Sequence, residues 1–458
     1  MTIPENVKQI LKTLNSNGYQ AYIVGGAVRD YMRDIEPHDW DITTNAKPEE
    51  IKKCFNRTID TGIKHGTVTA MLNGEGYEIT TYRVDGNYSD GRHPDSVEFV
   101  DDIKEDLARR DLTINAMAMD INCYLVDPFK GLWDLRQGII RCVGDPIERF
   151  NEDALRMLRA VRFEAKFGFR LDENTRKAIT LSAKDITKVS AERIREEYTK
   201  ILMSDNPKLG IQEAYNTGLT KYTIPEIDVI MECGQNNPYH YGSVGIHTLD
   251  VIQNLPKDMN LRWAGLLHDM GKPIVKTINL KTGSDIFRDH QIESKKIADD
   301  ILTRLKFSNK DREEIVNLVE QHDTVLSRDI KIRQFSATFG KDFINKLYQL
   351  QVADAKGHKA EYVDSLIEEK KKWIDKAIKS IDDRSAITIS DLQINGNELI
   401  QLGLKGVEIG DFLRDALQAC LGQPELNNSE SLLNMANKRV AKLHPELLET
   451  EPDVEYAM

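Results

Sequence analysis

The 458-residue chain carries 62 Lys and Arg against 74 Asp and Glu, a net charge of −12, with 40% hydrophobic and 30% charged residues. That length exceeds one compact core and implies two to four domains of a soluble protein. No apolar run is long enough to cross a bilayer, and the acidic balance confines any nucleic-acid surface to a local groove without excluding one.

In chain order, "MTIPENVKQILKTLNSNGYQ" lacks the apolar core and cleavage site of a signal peptide. It reads as an amphipathic helix with Ile10, Leu11 and Leu14 inward. Up to about residue 145, short β-branched or aromatic runs ("AYIVGG", "WDIT", "TVTAML", "YEITTYRV", "SVEFV") alternate with helical segments. From about Asp145, starting with "NEDALRMLRAVRFEAKFG", apolar residues recur at helical spacing nearly to the end. Two breaks interrupt the helices, "CGQNNPYHYGSVGIH" and "DDRSAITISDLQINGNEL", and the acidic end "LLETEPDVEYAM" reads as a frayed tail. Five scattered cysteines suit a reducing compartment, so a cytoplasmic location is expected.

"AYIVGGAVRDYMRDIEPHDWDIT" (Ala21 to Thr43) carries the first chemistry. If Asp39 and Asp41 lie on a strand they share a face, and two such carboxylates suit one or two Mg²⁺ ions and their bridge to a triphosphate. Gly25 and Gly26 allow backbone N–H groups to approach a phosphate, with Arg29 adding charge. Each element alone also reads as an ordinary turn or a solvated strand end.

The combination resembles the nucleotidyltransferase head of the polymerase-beta-like superfamily, which implies a third carboxylate, here Glu78. "RRDLTINAMAMD" (Arg109 to Asp120) and "EDALRMLRAVRFEAKFGF" (Glu152 to Phe169) narrow the likeness to class II tRNA nucleotidyltransferases, the CCA-adding enzymes and their bacterial poly(A) polymerase relatives. The resemblance implies a multidomain α+β protein. A nucleotidyltransferase head with a mixed or antiparallel sheet (1–145) would precede an all-α neck (146–220), body (221–385) and tRNA-binding tail (386–458). It also implies addition of CCA to tRNA 3′ ends from CTP and ATP, with two Mg²⁺ ions at Asp39 and Asp41. The absence of an arginine-rich segment in "NRTIDTGIKHGTVTAML", and the tail-like "INGNELIQLGLKGVEIGDFLRDAL", favour the tRNA-directed branch. The loop Arg83 to Phe99 matches one associated with adding the final A. An A-adding or polyadenylating enzyme is the alternative within the family.

By resemblance Asp153 and Arg156 select the base. On one helix, residues three apart are neighbours. A carboxylate accepts from the amino group of cytosine or adenine while a guanidinium donates to the bare ring nitrogen. Uracil and guanine reverse both polarities and leave a buried charge unpaired. Arg159 and Arg162 continue the series toward phosphate and base, but each three-residue step falls about 60° short of a full turn. Arg162 therefore rotates toward the apolar arc of Ala154, Leu158 and Ala165 and needs a buried partner or the triphosphate. Arg110 is carried over as a ribose or phosphate contact.

Farther on, "HTLDVIQN", "GLLHDMGKP", "DHQIESKK" and "VEQHD" resemble the HD superfamily. That likeness implies a second, transition-metal site at His247, His268, Asp269 and Asp323, or a degenerate scaffold that only supports RNA. An HD phosphohydrolase with a vestigial head is the alternative from another class.

Overall fold

The computed structural model describes residues 2–86, 96–382 and 386–445. Its chain forms two compact units, residues 1–236 with 242–316, and residues 237–241 with 317 onward. The first begins with helix α1 (Glu5–Ser16), whose Val7, Ile10, Leu11 and Leu14 are buried as its periodicity requires. Strand β1 (Ala21–Val24), helix α2 (Gly26–Tyr31), strand β2 (Ile42–Thr44) and helix α3 (Pro48–Cys54) follow, then β3 (Thr58–Gly62), β4 (Thr67–Leu72) and β5 (Glu75–Thr81). A hairpin, β6 (Arg83–Asp85) and β7 (Val97–Phe99), leads through α4 (Ile103–Ala108) to β8 (Ala118–Met119) and β9 (Leu125–Val126).

Seven of these strands form one mixed sheet in the order β3-β4-β5-β2-β1-β8-β9. β2 runs parallel to β5, pairing Ile42 with Ile79, while its other neighbour β1 is antiparallel. β1 occupies the interior of the sheet, so Ala21, Ile23 and Val24 are all buried and the strand reads as a continuous apolar run. Val24, Tyr82, Ile103, Leu107, Ala116, Ala118 and Val143 pack as one cluster on this sheet.

Helices take over after α5 (Gly131–Gln137) and the two-residue strand β10 (Ile139–Ile140). Helix α6 (Pro146–Glu152) has Pro at its first position, and the Asp145 carboxylate accepts from Ile147 N–H at 2.7 Å, two features that start a helix. It ends at Glu152, and α7 (Leu155–Phe167) begins after a break at Asp153. The helix expected to start at Glu152 thus starts at Leu155 instead, Glu152 being the last residue of α6. Asp153 is extended (φ −142°, ψ 105°), and its carboxylate accepts from Leu155 N–H at 3.0 Å, the local side-chain bond by which aspartate favours a helix start over a helix interior. β11 (Arg170–Leu171), α8 (Glu173–Ser182), α9 (Ala191–Leu202) and α10 (Pro207–Asn216) follow, and α7 packs against α9 and α10. Further helices, among them Val244–Asn254, Met259–Leu267 and His290–Arg304, complete the first unit.

The second unit is helical among its described residues. Its long helices Asp329–Lys356 and Ala360–Asp382 pack on each other, and Gly340 (φ +73°) interrupts the former. Three shorter helices, Gly396–Gln401, Val407–Gly422 and Ser429–Leu443, bury Leu399, Leu404, Phe412, Ala416, Leu432 and Val440 together. The expected mixed-sheet head is present, and the remainder is, among the described residues, helical except for β11 and a two-residue pair, Thr277–Ile278 with Asp285–Ile286. No helix of the described residues is long and apolar enough to cross a membrane.

Beneath the neck lies a strained pair of acids. Glu164 of α7 is 5% exposed, and its Oε1 accepts from Leu171 N–H at 3.2 Å. Burial, and then the neighbouring Glu213 carboxylate that Arg176 holds in two hydrogen bonds, push the Glu164 carboxyl up to about 8. The folded state therefore holds this proton more tightly than the unfolded chain, whose value is 4.5. Stability from Glu164 is complete below that lower value and is lost as pH rises through the higher one. Thermal melts from pH 5 to 9 should show a falling midpoint in the wild type and a flatter profile in Glu164→Gln; parallel profiles would refute this.

Candidate active site

Asp39 and Asp41 stand just before β2 instead of within it, yet Val24 N–H donates to Asp41 O at 3.0 Å, so the sheet pairing already includes Asp41. Alternation holds as well: Asp39 is exposed, Trp40 is buried and Asp41 is half-buried. The parallel register that sets Ile42 opposite Ile79 brings Glu78 level with Asp41, both on the face opposite the buried isoleucines. Burial first, then Asp39, raise the Asp41 carboxyl; Arg110 opposes the shift and Glu78 adds to it. Asp41 and the two carboxylates that raise its cost of ionisation form a donor set that suits a divalent cation.

Gly25 closes the other side. Its φ of +68° lies in the left-handed region, and a Cβ there would meet Arg110 Nη1 at 2.9 Å and Asp41 Oδ2 at 3.8 Å. The conformation favours glycine, and a Cβ there would have to push the end of the Arg110 side chain aside. Gly26 is less confined, since a Cβ there would first meet the Arg29 guanidinium at 3.5 Å. Arg110 is held by Asp106 at 3.6 Å, and its burial lowers its own affinity for a proton.

Arg29 is 5% exposed and directs Nη1 to Asn115 Oδ1 at 2.6 Å, while Nε pairs with Asp30 at 2.9 Å. Asn115 also donates to Asp111 at 3.2 Å, and Asp111 binds Arg159 Nε at 2.7 Å. Burial alone would raise the Asp111 carboxyl, but Arg159 and Asn115 outweigh it and hold it below the carboxylate range. One chain of contacts therefore joins α2, the segment "RRDLTINA" and α7.

Asp153 and Arg156 lie together at the start of α7, with Arg156 N–H donating to Asp153 O at 3.0 Å, but their side chains have separate partners. The Asp153 carboxylate accepts from Arg193 Nη2 at 2.7 Å. Arg156 pairs with Glu152 and donates to Arg109 O at 3.1 Å. Arg162 meets Glu197 at 2.6 Å, the buried partner its rotation toward the core demands. Between Leu155 and Ala165 the positions of α7 that are not buried are Arg156, Arg159 and Arg162, at intervals of three.

Arg193 and Glu197, both on α9, and Asp111 and Asn115 were not singled out from sequence. Glu197 had a usable signal, because it falls between Ile194, Tyr198 and Ile201 on the apolar face of its helix and is 2% exposed. Of the loop Arg83 to Phe99, the β6–β7 ends pair in register, Arg83 with Phe99, while residues 87–95 lie outside the described residues, as does the acidic end.

The second candidate site is built around Asp269 in the first unit. Its carboxylate lies 3.2 Å from His268 Nε2, 3.1 Å from His290 Nε2, 3.6 Å from His247 Nε2 and 2.7 Å from Lys272 Nζ. The Nδ1 atoms of His268 and His290 face the Gly265 and Phe287 carbonyls at 2.8 and 2.9 Å. Such bonds fix the ring so that Nε2 is presented to a metal. Asp323 belongs to the second unit, where it is exposed and lies 3.8 Å from His322 Nε2.

Substituting Gly25 by Ala should cost about 1–2 kcal/mol through its positive φ, as should Gly74→Ala at the β4–β5 turn (φ +88°), where a Cβ meets nothing within 4 Å. Urea denaturation checks that cost. The two differ electrostatically: Gly25→Ala alone displaces Arg110, so it alone should raise the titration of Asp41, followed by carboxylate NMR. An unmoved Asp41 titration would show that Arg110 does not act on it.

Comparison with known proteins places these features. A model described as the poly A polymerase head domain matches residues 21–141, one described as a probable RNA- and SrmB-binding site of polymerase A matches 168–231, and an HD domain model matches 244–369. The CCA-adding enzyme of Ligilactobacillus salivarius is 50% identical over 223 residues, 48% of this chain and 55% of that relative. That of Lactobacillus helveticus is 51% identical over 212 residues, 46% of this chain and 53% of the relative. In these alignments the chain spans about half the relatives' length. The CCA-adding enzyme of Pediococcus pentosaceus, in contrast, is 32% identical over 439 residues, 95% of this chain and 98% of the relative. The solved structure of the Bacillus stearothermophilus CCA-adding enzyme in complex with CTP superposes with a TM-score of 0.69 at 27% identity, over 96% of this chain and 98% of that one. With its head, its RNA-binding segment and its HD domain in this order, and with a relative aligned almost end to end, the chain belongs to the family of CCA-adding enzymes.

Proposed function

We propose that this chain adds C, C and A to the 3′ ends of tRNAs in the cytoplasm, taking CTP and ATP without a nucleic-acid template. The observation that carries this reading is the convergence of Gly25, Asp41 and Arg110, within one family-matched head, beside a neck helix whose non-buried positions between Leu155 and Ala165 are arginines.

Asp39, Asp41 and Glu78 would hold Mg²⁺, because the burial of Asp41 and the two carboxylates acting on it favour a divalent cation there. Bound there, it supplies Lewis acidity to the primer hydroxyl and charge neutralisation to the triphosphate. The chain's own groups do the rest. Arg110, adjoining Gly25 and Asp41, faces the triphosphate, with Gly25 and Gly26 allowing close approach. Arg29, Arg159 and Arg162 set the positive field around it. Asp153 accepts from the base amino group and Arg156 donates to the ring nitrogen. A carboxylate has acceptor sites beyond those Arg193 and Leu155 N–H occupy, so Asp153 keeps capacity for a base. The residues that position Asp153 and Arg156 here are Arg193 and Glu152.

The test is incubation with tRNA ending at its discriminator base and single nucleotides. Incorporation from CTP followed by ATP is expected, and incorporation from ATP alone would establish an A-adding enzyme instead. Asp41→Ala should reduce transfer by at least about a thousandfold, in the range of losing a group that acts on the transition state. Arg156→Ala should lower the CTP/UTP preference by about ten- to a hundredfold. An unchanged ratio would remove it from base selection.

A second reading concerns the histidines. His247, His268 and Asp269 would bind a divalent transition metal for phosphohydrolase chemistry, supported by the fixed His268 ring and the carboxylate beside it. Metal analysis decides it: about one equivalent retained by the wild type and lost in Asp269→Ala is expected, with nucleotide addition unaffected. A metal-free wild type after incubation with Mn²⁺ or Zn²⁺ would leave the cluster a scaffold.

A further inference from the structure

The end of α7 carries more positive charge than its carboxylates balance. Phe163 and Phe167 stack at 5.7 Å between centroids, and cations gather over their rings. Arg162 lies 4.3 Å and Arg29 5.3 Å from Phe163, and Arg29 lies 5.1 Å from Phe167. Beyond them, Arg33 stands 4.3 Å and Lys166 5.3 Å from Phe167. Arg29 and Arg162 have carboxylate partners in Asp30 and Glu197, whereas among the described residues neither Arg33 nor Lys166 forms an ion pair. Cation–π contact contributes about 0.5–1 kcal/mol at such exposure, which holds the side chains in place but leaves their charge unbalanced.

In a chain of net charge −12, a concentration of cations that repel one another needs a counter-charge. The repulsion is measurable. Burial and then Arg29, with Arg162 and Arg33 behind it, lower the proton affinity of Lys166 against the pull of Asp30. The charges that act on Asp41 are a different set, Asp39, Arg110 and Glu78. Arg33 and Lys166, at Phe167, are not among them. On α7, Arg159, Arg162 and Lys166 lie within about 60° of arc and extend along about 10 Å of the axis, longer than one phosphate requires. Basic side chains interleaved with aromatic rings are the arrangement that follows a single-stranded backbone.

We infer that Arg33 and Lys166, on either side of Phe167, hold backbone phosphate of the RNA substrate and extend the site beyond its reacting centre. This rests on the proposed action on tRNA, and it separates the phosphate of the RNA from the phosphates of the incoming nucleotide, which belong beside Arg110.

The experiment measures binding without nucleotide, so that it succeeds or fails independently of CCA addition. A fluorescent tRNA transcript ending at the discriminator base is titrated with the wild type and with Arg33→Gln/Lys166→Gln from 50 to 300 mM salt. Loss of two phosphate contacts should weaken binding about thirty- to a hundredfold at the lowest salt and flatten the log–log salt slope by about 1.4, roughly 0.7 for each single-strand phosphate, so that the deficit shrinks toward 300 mM. Arg33→Lys/Lys166→Arg keeps both charges and should restore the slope. Lys166→Gln alone, at an exposed position, should give about half the change and guards against misfolding of the double variant. An unchanged slope in the double variant overturns the inference. So does a failure of the charge-keeping variant to restore it, which would mark a structural staple between α2 and α7. Weakened binding of CTP measured without RNA, with tRNA binding intact, overturns it too, because the phosphate would then be the nucleotide's.

Discussion

The ion pair between Asp111 and Arg159 is the contact on which the rest of the site depends. Burial of either charge alone is costly, and the pair is stable here because both Asp111 oxygens are hydrogen-bonded, Oδ2 to Arg159 and Oδ1 to Leu112 N–H and Asn115. Asn115 bridges Asp111 to Arg29, Arg29 reaches Asp30 and stacks on two phenylalanines, and Arg159 fixes the rotation of α7. Because α7 cannot turn without breaking that pair, Arg156 and Arg162 are fixed on their sides of the helix. The head sheet and the neck helix are thereby aligned by electrostatics as much as by packing.

The same logic explains why so many charges lie near a substrate cleft in a protein that is acidic overall. Arg156, Arg159 and Arg162 each meet a carboxylate of their own: Glu152, Asp111 and Glu197. The folded chain thus supplies internal anions that steady the guanidinium groups before a phosphate arrives. A ligand competes with those carboxylates, so affinity is a difference between two ion pairs and is smaller than either alone. The arrangement favours exchange, which suits the proposed addition of one nucleotide after another.

Much of this was legible in sequence, and what was not has identifiable causes. The Gly-Gly turn and the two aspartates were readable because a positive φ and same-face alternation leave local marks. The two-residue error at the start of β2 is of a kind that periodicity cannot correct, since Asp41 continues the sheet pairing without belonging to the strand proper. The break at Asp153 was hidden because "NEDALRML" keeps helical spacing across it; aspartate's competition for the Leu155 amide decides the matter, and spacing is silent on that. Partners contributed by distant helices, such as Arg193 for Asp153, leave no local trace. Their sequence separation is set by topology, which a pattern search over short windows cannot recover. Glu197 is the exception, a charge on an apolar face whose burial has to be explained.

The break between α6 and α7 has a consequence for how such an enzyme stores information. A nucleic-acid template is rewritten by changing a base. On the proposed reading, the corresponding instruction would be distributed among Asp153, the peptide that turns the chain, and a guanidinium that arrives from α9. Arg193 would then not need to touch a nucleotide to alter what is written, because it holds the carboxylate that is read. Mutational drift in such a protein would change the copied letter from a position that looks, in any alignment of contacts with substrate, like punctuation.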